Sequence, residues 1–124
     1  MRKAAIASLY NMLPRSRRLR TSELNVVMQK GRAFHSSFFI LRVLLGVPDG
    51  YFKLSAVAPQ KIFKSAVARN KERRRIYEAV RPLVADAAPN AHAMLIAKKP
   101  EEEAAFDAIK ADIRSLFVKA GLLK

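Results

Sequence analysis

The sequence predicts an α+β domain with helices packed on a mixed sheet. Three observations carry this. Three segments space their apolar residues as amphipathic helices do, three stretches have the alternation or continuous apolarity of strands, and the two kinds interleave as helix, two or three strands, helix, strand, helix. The 124 residues allow one domain with one core, and 51% apolar residues are enough to fill it.

Residues 1–11 read as an Ala-rich N-terminal extension or a matter of start-site choice, and a single domain is expected over 12–124. Arg2 and Lys3 before Ala4–Tyr10 imitate the start of a signal peptide. The apolar stretch is short, however, and the cluster Arg15, Arg17, Arg18, Arg20 follows it, so secretion is not expected. An organellar transit peptide is the lesser alternative to a cytoplasmic location. Thr21 or Ser22 is placed to N-cap the first helix, with Glu23 favourable in its first turn. Leu24, Val27 and Met28 give it an apolar stripe, and Gly31 stands where a left-handed C-cap is expected.

Phe34–Val47 is an apolar stretch with two faces. Phe39, Leu41, Val43 and Leu45 make a core face, while Phe38, Ile40, Arg42 and Leu44 make a second face whose cation suits a groove. Pro48-Asp49-Gly50 signals a turn, and Tyr51–Val57 reads as the next strand. Asn70 is a good N-cap for a helix running to Arg81, where Pro82 should end or kink it. His92–Ala97 has no polar alternation and reads as a buried strand. Pro100 with Glu101, Glu102 and Glu103 suits the first turn of a last helix, whose apolar positions run from Phe106 to Ala120 before Gly121 ends it.

The charge is unevenly placed. Lys and Arg number 24 against 10 Asp and Glu, a net of +14. Residues 1–81 hold 18 of the cations and 4 of the acids, so the whole excess lies there, and residues 82–124 balance at 6 against 6. Such self-repulsion is relieved by a polyanion, above all nucleic acid, where each neutralised phosphate releases counterions. No Cys is present, which excludes disulfides, zinc knuckles and thiol chemistry, and no apolar run is long enough to span a membrane. A membrane-surface role would need a free apolar face beside the cations, and the apolar faces are committed to the core. A protein-only nuclease would need clustered acids for metals. The acids Glu101–Glu103 read as partners of a helix dipole, and His35 and His92 as bystander and structural residues.

The most informative segment runs from Lys61 to Glu78. At 100° per residue, Asn70, Arg74, Tyr77 and Arg81 share an arc opposite Ile76, Ala79 and Val80, with Arg73 at its edge and Lys71 and Arg75 extending the charge. Arg forks bind phosphate oxygens bidentately, and a helix N-terminus at Asn70 would add free N–H groups for an anion.

Ala66-Val67-Ala68-Arg69-Asn70-Lys71-Glu72-Arg73-Arg74, followed by Glu78, resembles the Arg-Asn-Arg signature of the bacterial ribonuclease P protein subunit. Arg18-Leu19-Arg20, Lys30-Gly31-Arg32-Ala33-Phe34, Phe39–Leu44, Leu95-Ile96-Ala97-Lys98 and Lys119-Ala120-Gly121-Leu122 agree in order, and Met12-Leu13-Pro14 looks like a common family start. The chain departs from the pattern at Lys71, where the family has Arg, at Arg73, where it has Lys, and at Tyr77, where Arg is common. Leu24, Met28 and Arg42 stand where groove aromatics are frequent.

The resemblance implies an α-β-β-β-α-β-α two-layer fold with a mixed four-stranded sheet, similar to a domain of some ribosomal proteins, and a left-handed β-α-β crossover. It implies that the catalyst is an RNA, and that the protein assists removal of the 5′ leader from precursor tRNA, one protein per RNA. No catalytic residue is expected on the protein, nor a cofactor bound by it alone, while Mg²⁺ is expected for the RNA–protein holoenzyme. Lys61, Lys64, Arg69, Asn70, Lys71, Arg73, Arg74 and Arg75 are the candidates for the catalytic RNA. Arg17, Arg18, Arg20, Leu24, Met28, Arg32, Phe34, Phe38 and Arg42 are the candidates for the leader, in a groove between the first helix and the sheet. The alternative is a non-catalytic, ribosome-associated RNA-binding protein of the same fold.

Overall fold

The computed structural model describes residues 17–48, 50, 52–100 and 106–124. The expected extension at 1–11, Arg15 and the acids Glu101–Glu103 lie outside them. The elements are α1 (Thr21–Lys30), β1 (Arg32–His35), β2 (Phe39–Leu45), β3 (Lys53–Val57), α2 (Ala66–Val84), β4 (Ala91–Ala97) and α3 (Phe106–Lys119). The sheet order is β1-β2-β4-β3. β4 pairs antiparallel with β2 and parallel with β3, and β1 and β2 form an antiparallel hairpin.

Alternation sets the two faces. Phe39, Leu41 and Val43 of β2, Leu54 and Ala56 of β3, and Ala93, Leu95 and Ala97 of β4 all join the principal core, with Ile76 and Val80 of α2 and Ile109, Ile113 and Phe117 of α3. Phe52 and Phe117 meet there edge to face, ring centroids 5.8 Å apart, both fully buried. The opposite face is covered by α1. Leu19, Val27 and Met94 form a smaller cluster there, with Leu24, Leu44, Val57 and Ile96 against it. β4 therefore has a covered layer on both sides, which explains its unbroken apolar run. Leu45, assigned to the core by alternation, is 56% exposed because it ends its strand.

The ends of elements differ from expectation. Ser36 breaks the Phe34–Val47 stretch into two strands. Its N–H donates to the Phe39 carbonyl at 2.9 Å, and its hydroxyl accepts the Phe39 N–H at 3.1 Å. Neither Thr21 nor Ser22 caps α1. Arg20 occupies that position, and its N–H donates to Glu23 Oε1 at 2.8 Å. The α2 cap is Ser65 rather than Asn70, its hydroxyl accepting the Ala68 N–H at 3.0 Å. Ala66 and Ala68 are good helix formers and help extend the helix backward once that serine is available. At the other end α2 passes through Pro82 to Val84, since a proline so near the C-terminus forfeits one hydrogen bond of the last turn.

Gly31 is not left-handed. Its φ is −73° and ψ is 153°, an extended conformation open to any residue. Close approach is what requires it. A Cβ there would stand 2.6 Å from the Val27 carbonyl oxygen and 3.1 Å from that of Val43. Gly31→Ala should therefore lose about 1–3 kcal/mol through forced backbone displacement. A fall in the urea midpoint at unchanged m-value is the expected measurement.

Candidate nucleic-acid interface

The α2 segment divides its cations between two tasks. Asn70, Lys71, Arg74 and Arg81 are exposed, and Arg75 is half-buried. Arg69 turns the other way. Its Nη1 donates to the carbonyls of Phe63 at 2.9 Å and Lys64 at 3.2 Å, tying the loop before the helix to its first turn. Arg73 Nη2 donates to Asn70 Oδ1, which fixes the direction of both side chains. Lys61 and Lys64 are exposed on the loop that Arg69 holds. The free N–H groups of the helix start therefore lie beside Lys64, about a turn earlier than Asn70.

Tyr77 departs from the arc assigned to it. It is 3% exposed, and its hydroxyl accepts the Ala56 N–H at 3.0 Å. β3 is an edge of the sheet, so this phenol satisfies a donor that has no neighbouring strand.

The second set of candidates surrounds α1. Arg42 Nη2 donates to the carbonyls of Met28 at 2.7 Å and Gly31 at 3.0 Å, closing the C-terminal end of α1. Among the described residues, the buried Nε atoms of Arg42 and Arg18 have no hydrogen-bond partner. Arg17 Nη1 donates to the Phe52 carbonyl at 3.3 Å, and Arg20 is exposed. Met28 is 49% exposed at the helix surface, while Leu24 is drawn half under the helix.

Three leader candidates are not on this face. The register pairs Arg32 with Val43 and Phe34 with Leu41, so both point to the α2–α3 side, where the Arg32 guanidinium lies 5.5 Å from the Phe34 ring centre. Phe34 packs against the principal core, as does Phe38, which sits in the turn before β2 with Lys99 Nζ 5.3 Å from its ring centre. The same register places Ala33 beside Arg42 and His35 beside Ile40 on the α1 side. His35 is thus an exposed ring on the groove face. Sequence alternation could have found it only with the position of the Ser36 turn in hand.

Beneath α1, Glu23 is shared between two partners. Besides accepting from Arg20, its Oε2 accepts from Lys53 Nζ at 3.0 Å. Burial by itself raises the Glu23 carboxyl. The Arg20 N–H, the Lys53 ammonium and the nearby His92 outweigh burial and hold it below its ordinary value of 4.5. A depressed carboxyl contributes stability above its unfolded value and loses that contribution as pH falls through the folded one. Glu23→Gln should then be less stable than the parent at pH 7, with the gap closing below about pH 4.5. Urea unfolding of both proteins at pH 7 and pH 3 checks this, and equal gaps would refute it.

Two cationic sets on opposite faces of one small sheet define a class of protein, a polyanion-binding α+β module without a clustered acid or metal centre among the described residues. A family model described as Ribonuclease P matches residues 13–121. The ribonuclease P protein component of Rippkaea orientalis is 31% identical over 120 residues, covering 90% of this chain and 91% of that protein. That of Chloroflexus aggregans is 36% identical over 111 residues, covering 88% and 81%. The Staphylococcus aureus RNase P protein structure superposes with a TM-score of 0.75, covering 87% of this chain and 98% of that one, and at 18% identity it shows the shared fold. The chain belongs to the ribonuclease P protein family.

Proposed function

We infer that the chain acts as the protein subunit of ribonuclease P, an RNA-based endoribonuclease. The observation that carries this is the family match across 13–121. No helix among the described residues is long and apolar enough to cross a membrane. In the cytoplasm, one copy would join one catalytic RNA and hold the 5′ leader of precursor tRNA while the RNA cuts it.

The placement of the cations supports a division of labour. Lys61, Lys64, Lys71, Arg74 and Arg75 surround the start of α2 and suit the phosphates of the folded catalytic RNA. Arg69 and Arg73 serve this surface by shaping it. Arg18, Arg20 and Arg42 border α1 on the other face and suit a single strand. With Phe34, Phe38 and Arg32 turned away, the groove offers few aromatic platforms, so cation contact replaces most base stacking there. In this reading Mg²⁺ is a requirement of the RNA–protein holoenzyme.

Reconstitution tests the reading. The full chain, its cognate catalytic RNA and a precursor tRNA at low Mg²⁺ should show increased 5′ cleavage, with none from protein alone. Arg69→Ala combined with Arg74→Ala should abolish the increase. Cleavage unchanged by the parent protein would favour the non-catalytic RNA-binding alternative.

A further inference from the structure

We propose that the cavity at the N-terminal end of α2 receives the base of an unstacked guanine nucleotide, with Glu72 reading its Watson–Crick edge. This rests on the RNA-binding reading above and adds to it a site of defined chemistry.

The cavity has a volume of about 460 Å³, within the range of small-ligand sites. Ile62 and Phe63 supply apolar wall, Lys64, Lys71 and Arg75 line it with positive charge, and Glu72 contributes a carboxylate. Glu72 is only 4% exposed, yet among the described residues its Oε2 has no hydrogen-bond partner. A buried acceptor left open is costly to the fold, and such groups are rare in native proteins unless a ligand completes them. The neighbouring cations belong to the same cavity without bonding that oxygen.

The combination narrows the ligand. A metal ion would meet one carboxylate and three cations, which disfavours it. A free phosphate suits the cations but is repelled by Glu72. A nucleotide satisfies both, placing its phosphates by the Lys and Arg groups and its base against the carboxylate, once the Glu72 side chain turns from its buried position into the cavity. An ionised carboxylate only accepts hydrogen bonds. Guanine presents two adjacent donors, N1–H and the N2 amine, whereas adenine and cytosine set a ring acceptor beside their amine, and uracil flanks its one donor with two carbonyls. Splayed bases in single-stranded RNA loops are read on this edge.

The test uses the full chain and short single-stranded oligoadenylates carrying one central guanine, inosine or adenine, with binding followed by fluorescence anisotropy. Inosine keeps N1–H and lacks the N2 amine. The guanine strand should bind about tenfold tighter than the all-adenine strand, with inosine between them. Glu72→Gln should remove the preference, bringing the guanine and all-adenine strands to equal affinity. Equal affinities of the three strands for the parent protein would overturn the proposal without recourse to any variant, while leaving RNA binding intact. A preference that survives Glu72→Gln would also overturn it. If neither the strands nor the catalytic RNA bind, the proposal and the RNA-binding reading fall together.

Discussion

Raising salt from 50 to 200 mM should weaken binding of the catalytic RNA by roughly 10³-fold or more, the loss expected when about six phosphates are neutralised. The basis is the +14 net charge and its confinement to residues 1–81. The slope of log affinity against log salt separates the roles of two arginines. Arg74 is exposed, so Arg74→Ala should lower the slope by about one phosphate contact. Arg69 spends its Nη1 on the Phe63 and Lys64 carbonyls. Arg69→Ala should release the loop that carries Lys61 and Lys64, and so cost affinity at every salt concentration. Filter binding across a salt series measures both. A flat dependence would contradict a phosphate-dominated interface.

Phe117→Ala should lose about 3–5 kcal/mol, a large part of the 5–15 kcal/mol that holds a domain of this kind together. Phe117 is fully buried where α3 meets the sheet, and its edge contact with Phe52 fixes the segment just before β3. Nothing nearby is small and mobile enough to refill the volume, because Leu54, Ile113 and Leu116 are themselves locked in the same core. Urea unfolding is the direct measurement. A loss below about 1 kcal/mol would mean that the site collapses around the missing ring.

Interiors were more legible in the sequence than ends. Alternation assigned Phe39, Leu41 and Val43 to one face and Arg42 to the other, and continuous apolarity identified β4, because both signals are local and repeat along the chain. The caps were not legible. Ser65 and Asn70 are both good N-caps, and Ser65 takes the role because its hydroxyl holds the Ala68 N–H and Ala66 and Ala68 tolerate the earlier start. Tyr77 was misplaced for a longer-range reason. Its buried hydroxyl answers an N–H that is unpaired only because β3 is an edge, and strand order is not a property of any one segment. Phe34 and Phe38 look like groove residues in the sequence because the Ser36 turn, which sets the hairpin register, is hidden inside one apolar stretch. The motif itself marked α2 correctly but not the division between exposed Arg74 and inward-bonded Arg69. Glu72 had no signal at all, since a glutamate in a charge run looks solvated.

The sheet order β1-β2-β4-β3 also has a consequence for synthesis. β2 and β3 never touch as neighbours, so the β1–β2 hairpin and β3 are joined only by β4, which begins at Ala91. A nascent chain emerging from the ribosome thus displays nearly all of its surplus cations before the strand that joins its sheet has been made. Its strand pairing is of high sequence separation and slow by nature. Until β4 is made, those cations lie on a chain whose sheet cannot close, and completion of β4 turns them into a shaped surface.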